Sequence, residues 1–579
     1  MAKLNVDQKT ILELFSDRRA DFLIPDYQRP YSWEEDECGT LWKDVFDFAF
    51  PDRDYTKFDN EKDEYFLGPI VTFRNADGKM EVIDGQQRLT TLMLLLRAFY
   101  KRFGSMNDPK SISTRESLGR CIWKTDEFGN PDMDRLKIDS RVVSDEERGE
   151  FLEILRNGHL RPEMRSRYAK NYGFFENAID AFLNDLPSYF SYLPIRIMNN
   201  CIVLPIEADS QDTALRIFST LNDRGLPLAD SDIFKSQLYN YYNEGGEVEG
   251  FIERWKHLEE LSGKVFDPRS GSPMDELFTR YMYFLRAKEG ESRSTTEALR
   301  KFYERDDYGL LKNDHALSDL ESLAGFWHDV SIQSQERFSD RILRRLFVLN
   351  YAPNGMWTYL VSVYFLQNRD ADGNLDDEEF YDFLVKITAF IWAYAIENPG
   401  VNALRTPVYP EMVNIVNGRS VSFEGFKFDP RVLKSEIDNI EFTNNRPLTK
   451  SMLAWWAVND DSQSLLSLET FFDIEHIVSR NLQENMHVLT DDRNLESLGN
   501  KSLLEKRINI PARDYRFEDK TRYYLGFVNA RGQRKDGSGI VELQRLANLN
   551  DFREENVVER YNHIVDSFID FLGANDLLK

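Results

Sequence analysis

The sequence predicts an α+β chain of several domains, and three observations carry that expectation. Residues 1–240 mix strand and helix signals, residues 241–404 repeat apolar residues at helical spacing with few strand signals, and residues 405–579 return to mixed character. At 579 residues the chain exceeds what one ordinary core accommodates, so about two to four domains are expected. Its 41% hydrophobic and 13% aromatic content is that of a folded protein.

In the first region Tyr65 to Phe73 (YFLGPIVTF) reads as a strand, Asn75 to Lys79 (NADGK) as a turn around Asp-Gly, and Met80 to Ile83 as the returning strand of a hairpin. Gly85 breaks that strand, and Gln86 to Phe103 has the length and strong helix formers of a buried helix. Cys201 to Ile206 (CIVLPI) is a further strand, with a helix expected from about Asp212 to Leu221. The middle region carries helical apolar spacing at Ile342 to Leu349 and Phe380 to Ala393, and reads as a helical connector. Pro407, Pro410, Gly418 and Gly425 mark loops where the last region begins. No internal repeat or heptad array is present, which excludes a solenoid or coiled coil.

Met1 to Thr10 is polar and lacks the apolar core of a secretory signal. No apolar run reaches the roughly 18 residues of a membrane span, and the most apolar stretch, Leu92 to Phe99, is broken by Arg97. Cys38, Cys121 and Cys201 are too scattered for a thiolate cluster or a disulfide framework. A cytoplasmic protein without a membrane partner is expected.

The formal charge of −26 argues against a nucleic-acid role in bulk, because phosphate binding draws on Lys and Arg. Contacts are local, however. From Lys501 to Lys535 ten Lys or Arg stand against four Asp or Glu, and Lys506, Arg507, Arg513 and Arg516 are candidate nucleic-acid contacts. A smaller basic cluster lies at Arg161, Arg165, Arg167 and Lys170. Taken alone, either cluster is explained equally well as a solvated basic face.

Asp84-Gly85-Gln86-Gln87-Arg88 stands where a strand feeds a helix N-terminus, a place whose free amides and dipole suit phosphate. Arg88 can add a bidentate contact there and Asp84 can hold a divalent cation. A plain strand-to-helix turn with a solvent-facing Gln pair explains the same spacing. No GxxxxGK[ST] loop exists, which excludes an ordinary P-loop. Asn222, Asp223, Arg224, Asp232 and Lys235 form a further polar cluster, equally readable as a helix cap with surface ion pairs.

Near the C-terminus Glu475-His476-Ile477 delivers a histidine beside a carboxylate, with Asn500 24 positions after the histidine and Asn509 nine further on. Phosphodiester hydrolysis needs a base to activate water and a cation to neutralise developing charge. One free His and two oxygen ligands on a hairpin and its following helix supply both. The bland alternative is a polar pair at a strand end. The basic stretch from Lys501 follows this constellation directly and gains weight from it.

Four motifs in order, Ile24-Pro25-Asp26-Tyr27-Gln28-Arg29-Pro30-Tyr31-Ser32-Trp33, Phe66-Leu67-Gly68, the DGQQR run, and Phe218-Ser219-Thr220-Leu221-Asn222-Asp223-Arg224-Gly225, resemble the N-terminal domain of GmrSD-type restriction proteins. That resemblance implies a ParB/sulfiredoxin-like α/β fold over residues 1–240, with nucleotide bound at Asp84, Gly85, Gln86, Gln87 and Arg88 and with Gln28 and Arg29 nearby. The C-terminal match, Glu475-His476-Ile477, Gly499-Asn500-Lys501-Ser502-Leu503-Leu504, Asn509 and Lys520, is similar to the His-Me finger (ββα-metal, HNH-like) nuclease domain of the same family, over residues 405–579. It implies His476 as general base, Asn500 orienting it, Glu475 and Asn509 on a divalent metal, and Lys520 at phosphate. Where the family usually has Pro three residues after the histidine, this chain has Ser479.

The expectation is therefore an NTP-regulated DNA endonuclease using Mg²⁺ or Mn²⁺, with GTP, UTP, CTP or ATP as the nucleotide. It would cut foreign or modified phage DNA in type IV, modification-dependent defence. One active site cuts one strand, so a double-strand break calls for a homo-oligomer or sequential nicks. The alternatives are a ParB-like nucleotide-dependent DNA-binding adaptor with an inert nuclease domain, and an RNA-cleaving toxin.

Overall fold

The computed structural model describes the chain except for residues 1–4, 7, 143–146, 211–212, 215–216, 218–228, 268–271, 294, 296, 401–402 and 513–515. The chain divides into two compact units, Met1–Lys256 and His257–Lys579. The helices expected as a connector thus belong, from His257 on, with the C-terminal segment. Among the described residues no helix is long and apolar enough to cross a membrane, and the three cysteines are free and buried.

The first unit is built on a mixed sheet of seven strands in the order β1-β9-β4-β5-β3-β8, with β2 also pairing β9. These are β1 (Asn5–Val6), β2 (Lys9–Thr10), β3 (Phe22–Ile24), β4 (Tyr65–Arg74), β5 (Met80–Asp84), β8 (Ile138–Ser140) and β9 (Cys201–Ala208). A small separate hairpin, β6 (Trp123–Thr125) with β7 (Pro131–Leu136), precedes β8. The expected hairpin is β4–β5, antiparallel, its turn closed by the Asn75 N–H donating to Lys79 O at 3.0 Å. Gly78 takes φ +78° there, which an L side chain rarely adopts. On one face the helix Gln86–Phe103 buries Leu89, Leu92, Met93, Leu95, Leu96 and Phe99 against Phe22, Ile70 and Val82. Val71, Ile83, Ile206 and Ala208 form a smaller core on the other face, with Tyr27 and Tyr239.

Arg97, which interrupts the apolar run in sequence, is buried within that helix. Its Nε donates to Leu155 O at 2.8 Å, and the guanidinium lies 5.4 Å from the ring centroids of both Tyr100 and Trp123. A buried cation is tolerated where donors find acceptors and the plane finds aromatic faces.

The second unit is largely helical. Its described strands form two short ribbons, β10 (Phe472–His476) with β11 (Lys501–Glu505) and β12 (Phe527–Val528) with β13 (Arg534–Lys535). In β10–β11 the antiparallel register runs from Phe472↔Glu505 to His476↔Lys501, so His476 sits at the end where the turn Leu498–Asn500 enters β11. The long helix Glu554–Ala574 holds that turn. Arg560 Nη1 donates to the carbonyls of Leu498, Gly499 and Lys501 at 2.7, 3.0 and 2.7 Å. Gly499 is required because a Cβ would collide with the Val557 carbonyl. The helix Lys506–Ala512 follows β11 directly and packs on both strands of the ribbon.

Candidate functional site

Two motif sites stand out, one in each unit. At the first, β5 ends at Asp84 and Gly85 turns the chain with φ +92° into the helix Gln86–Phe103. The turn also needs glycine for space, since a Cβ would meet Ile70 Cγ1 at 3.1 Å. The glutamines are buried rather than solvent-facing, at 7% exposure each. Gln87 accepts from the Ser32 N–H at 2.8 Å and donates to Pro30 O at 3.1 Å, fastening the Ile24–Trp33 motif to the helix. Gln28 donates to Ile83 O at 3.1 Å. Arg88 Nη1 donates to Pro69 O at 2.8 Å, and its guanidinium lies where a Cβ on Gly68 would stand.

Charge at this turn belongs to Asp84, Arg88 and Arg29. Burial pushes the Asp84 carboxyl above its usual range, against the Gly85 N–H and the attraction of Arg88 and Arg29. Burial likewise lowers Arg88, opposed by Asp84. One buried carboxylate thus stands beside two guanidinium groups at this turn. Asn222, Asp223 and Arg224 lie outside the described residues. Asp232 and Lys235 fall in the helix Asp230–Glu244, where Lys235 is buried with its ammonium 5.6 Å from the Trp255 ring.

At the second site His476 ends β10 with its side chain 10% exposed and Nε2 3.4 Å from Glu496 Oε1, too poorly aligned for a hydrogen bond. Burial holds the imidazole below its ordinary value; Glu496 pulls it up, and Lys501 and Arg480 push it further down. The ring is therefore neutral near pH 7, the form a general base needs. Burial also opposes charge on Glu496, yet the nearby His476 imidazole and the hydrogen-bonded Lys501 ammonium outweigh it and hold the carboxyl down at about 2. Glu496 Oε2 takes Lys501 Nζ at 2.5 Å, and Oε1 takes Arg480 Nη2 at 2.5 Å. Lys501 is itself fully buried and also donates to Phe442 O and, at 2.8 Å, to Asn444 Oδ1.

Asn500 acts on the backbone after His476 rather than on the ring. Its Oδ1 accepts from the Val478 N–H at 2.7 Å, and its Nδ2 donates to Val478 O and Leu495 O, both at 3.1 Å. Ser479, where proline was expected, caps the helix Arg480–Met486 by accepting from the Leu482 N–H at 3.3 Å, so the turn is fixed by a cap instead of a ring.

Two expected roles do not match this geometry. Lys520, expected at phosphate, is fully buried, with Nζ on Glu475 Oε1 at 2.7 Å and on His476 O at 2.5 Å. Glu475, expected on a metal, is 1% exposed and gives that same Oε1 also to Tyr524 Oη at 2.8 Å. Burial raises its carboxyl, with Lys520 and Tyr524 acting against the rise. A divalent cation on this carboxylate would meet the Lys520 ammonium already there, so as arranged these residues do not fit one. Asn509 is half-buried on the helix Lys506–Ala512. Among the described residues no group of three or more His, Cys, Asp or Glu could hold a metal ion.

Of the basic positions, Lys506, Arg507 and Arg516 are exposed and Arg513 lies outside the described residues. Lys506 opposes Phe471 at the far end of the ribbon from His476, roughly 17 Å along the strand at about 3.3 Å per residue. Arg507 donates to Asp536 O and Gly537 O at 3.3 and 3.1 Å. In the first unit Arg161 pairs with Glu153 and Glu163, each at 2.9 Å, and Arg167 with Glu34 at 3.3 Å. Two of that cluster's four cations are thereby matched by carboxylates. Sequence reasoning missed Glu496, Arg480 and Tyr524.

Two family models match the chain. One describes the GmrSD restriction endonuclease N-terminal domain and covers residues 11–239; the other describes the GmrSD restriction endonucleases C-terminal domain and covers residues 431–567. The first contains the DGQQR turn and the second the His476 site. No curated protein matches.

Proposed function

The chain belongs to the GmrSD restriction endonuclease family, and from that premise we propose that it is an NTP-regulated DNA endonuclease with His476 as its general base. Family membership implies DNA cleavage in restriction defence. The observation that carries the site assignment is a largely buried imidazole at the end of β10, one-tenth open to solvent and facing a carboxylate, where burial disfavours its charged form. His476 takes a proton from water, the water oxygen forms a bond to phosphorus, one P–O bond of the backbone breaks, and the departing oxygen takes a proton from solvent. Asn500 and Ser479 fix the backbone that carries the ring, and Lys520 anchors it through the His476 carbonyl.

Family membership also suggests dependence on a divalent cation such as Mg²⁺ or Mn²⁺, which supplies neutralisation of charge building on the phosphate. Glu475 could serve it only by giving up Lys520.

The N-terminal unit is read as the nucleotide-binding regulator. Asp84, Arg88 and Arg29 supply its charge, the Gly85 turn its close approach, and Gln28, Gln86 and Gln87 its buried frame. GTP, UTP, CTP and ATP are all candidates, and modified phage DNA is the proposed target. The test is cleavage of plasmid, modified phage DNA and RNA by the full chain, with and without Mg²⁺ or Mn²⁺ and each NTP. DNA cleavage lost in His476→Ala supports the reading. Cleavage of RNA alone favours a toxin, and no cleavage under any condition leaves the nucleotide-dependent adaptor.

A further inference from the structure

We infer that Arg480 is the residue that grips the scissile phosphate, set in place by Glu496 beside His476. This rests on the endonuclease reading and assigns the phosphate contact that Lys520, buried against Glu475, does not make. Three cations bear on the ribbon end. Lys520 and Lys501 are each wholly buried, Lys520 on Glu475 Oε1 and His476 O, Lys501 on Glu496, Phe442 O and Asn444. Arg480 differs, with its side chain 53% exposed.

The geometry joins Arg480 to the base. Glu496 is held from behind by Lys501 through Oε2, while Oε1 faces both Arg480 Nη2 at 2.5 Å and His476 Nε2 at 3.4 Å. One carboxylate oxygen thus holds the guanidinium while facing the imidazole, which sets the two groups side by side. A guanidinium has five N–H donors in a planar fork; Glu496 engages Nη2, and the exposed remainder can meet two phosphate oxygens. A phosphate within reach of water activated by His476 lies next to Arg480, where added negative charge in the transition state is met by a cation already oriented. Ser479, capping the helix that Arg480 begins, fixes the arginine's backbone relative to β10.

The experiment uses the full chain carrying Arg480→Ala or Arg480→Lys. Single-turnover cleavage of duplex DNA is measured, together with duplex affinity in a His476→Ala background and the melting temperature of each variant. Arg480→Ala is expected to lower the cleavage rate about 10²- to 10³-fold, the usual loss for one transition-state donor, with affinity changed less than about threefold and melting unchanged. Arg480→Lys, which keeps the charge without the fork, should fall between. Wild-type cleavage with Arg480→Ala cutting at the same rate overturns the inference alone. So does an Arg480→Ala loss that appears wholly in affinity, or that tracks a lowered melting temperature which Arg480→Lys restores along with full activity. A wild-type chain that cuts nothing overturns the endonuclease reading, and this inference with it.

Discussion

At the DGQQR turn the motif's polar side chains bond to backbone, Gln87 to Ser32 and Pro30, Gln28 to Ile83 and Arg88 to Pro69, whereas at the EHI ribbon the charged side chains bond to one another. The first arrangement frames a turn and leaves the Asp84 charge poorly compensated. The second neutralises almost every charge around one histidine. A sequence motif therefore mixes residues that build a site with residues that work in it. Burial and partners separate the two.

The largest expected effect sharpens the ribbon side of that comparison. His476→Ala should lower DNA cleavage about 10²- to 10⁴-fold while NTP hydrolysis, assigned to the other unit, persists. Burial depresses the imidazole, and the neutral ring is the active form. Cleavage should therefore hold as pH falls to the ordinary value of about 6.5 and decline only below it. A kcat/KM profile whose acid limb lies at or above pH 7 would sink the assignment.

Next in size is Lys520→Met. If Lys520 compensates Glu475, its loss strands a buried carboxylate and should cost about 3 to 5 kcal/mol of stability. Adding Glu475→Gln should restore much of that, because an amide carries no charge to strand. Melting and urea unfolding measure both. A single variant that melts like wild type yet binds DNA weakly would return Lys520 to phosphate.

A matched pair of substitutions tests the first site. Gln87→Ala strands the Ser32 N–H and Pro30 carbonyl, so about 1 to 3 kcal/mol of stability should go. Asp84→Asn should leave melting nearly unchanged, since burial already disfavours that charge, yet abolish NTP hydrolysis. The opposite pattern, a stable Gln87→Ala without hydrolysis, would make the glutamine a ligand.

The strand-turn-helix at Tyr65–Phe103 and the strand ending in His476 were legible because their signals are local: alternation, Asp-Gly, a glycine break and helix formers in one run. The role of Glu496 was not. It stands 20 residues after His476 in a stretch that reads as an ordinary polar turn, and meets the ring only once that turn folds back on β10. Tyr524 and Lys520 had a partial signal, lying four apart on one helix and so on one face, but nothing in sequence aimed that face at Glu475. The burial of Arg97 and the capping role of Ser479 likewise depend on distant or three-dimensional partners.

The smallest effect concerns the exposed basic residues after β11, where the two regions differ again: the cluster at Arg161 and Arg167 is matched by glutamates, while Lys506 and Arg516 stand exposed. Each phosphate contact on duplex DNA adds about 0.9 to the log–log salt slope of binding. Neutralising Lys506 and Arg516 should flatten that slope by up to ~1.8, and including Arg507 by up to ~2.7. Arg507 should give less than its share, because its guanidinium already serves the Asp536 and Gly537 carbonyls. Neutralising Arg161 and Arg167 should leave the slope where it was. The comparison breaks if the N-terminal pair flattens the slope and the C-terminal set does not, which would route the duplex over the first unit.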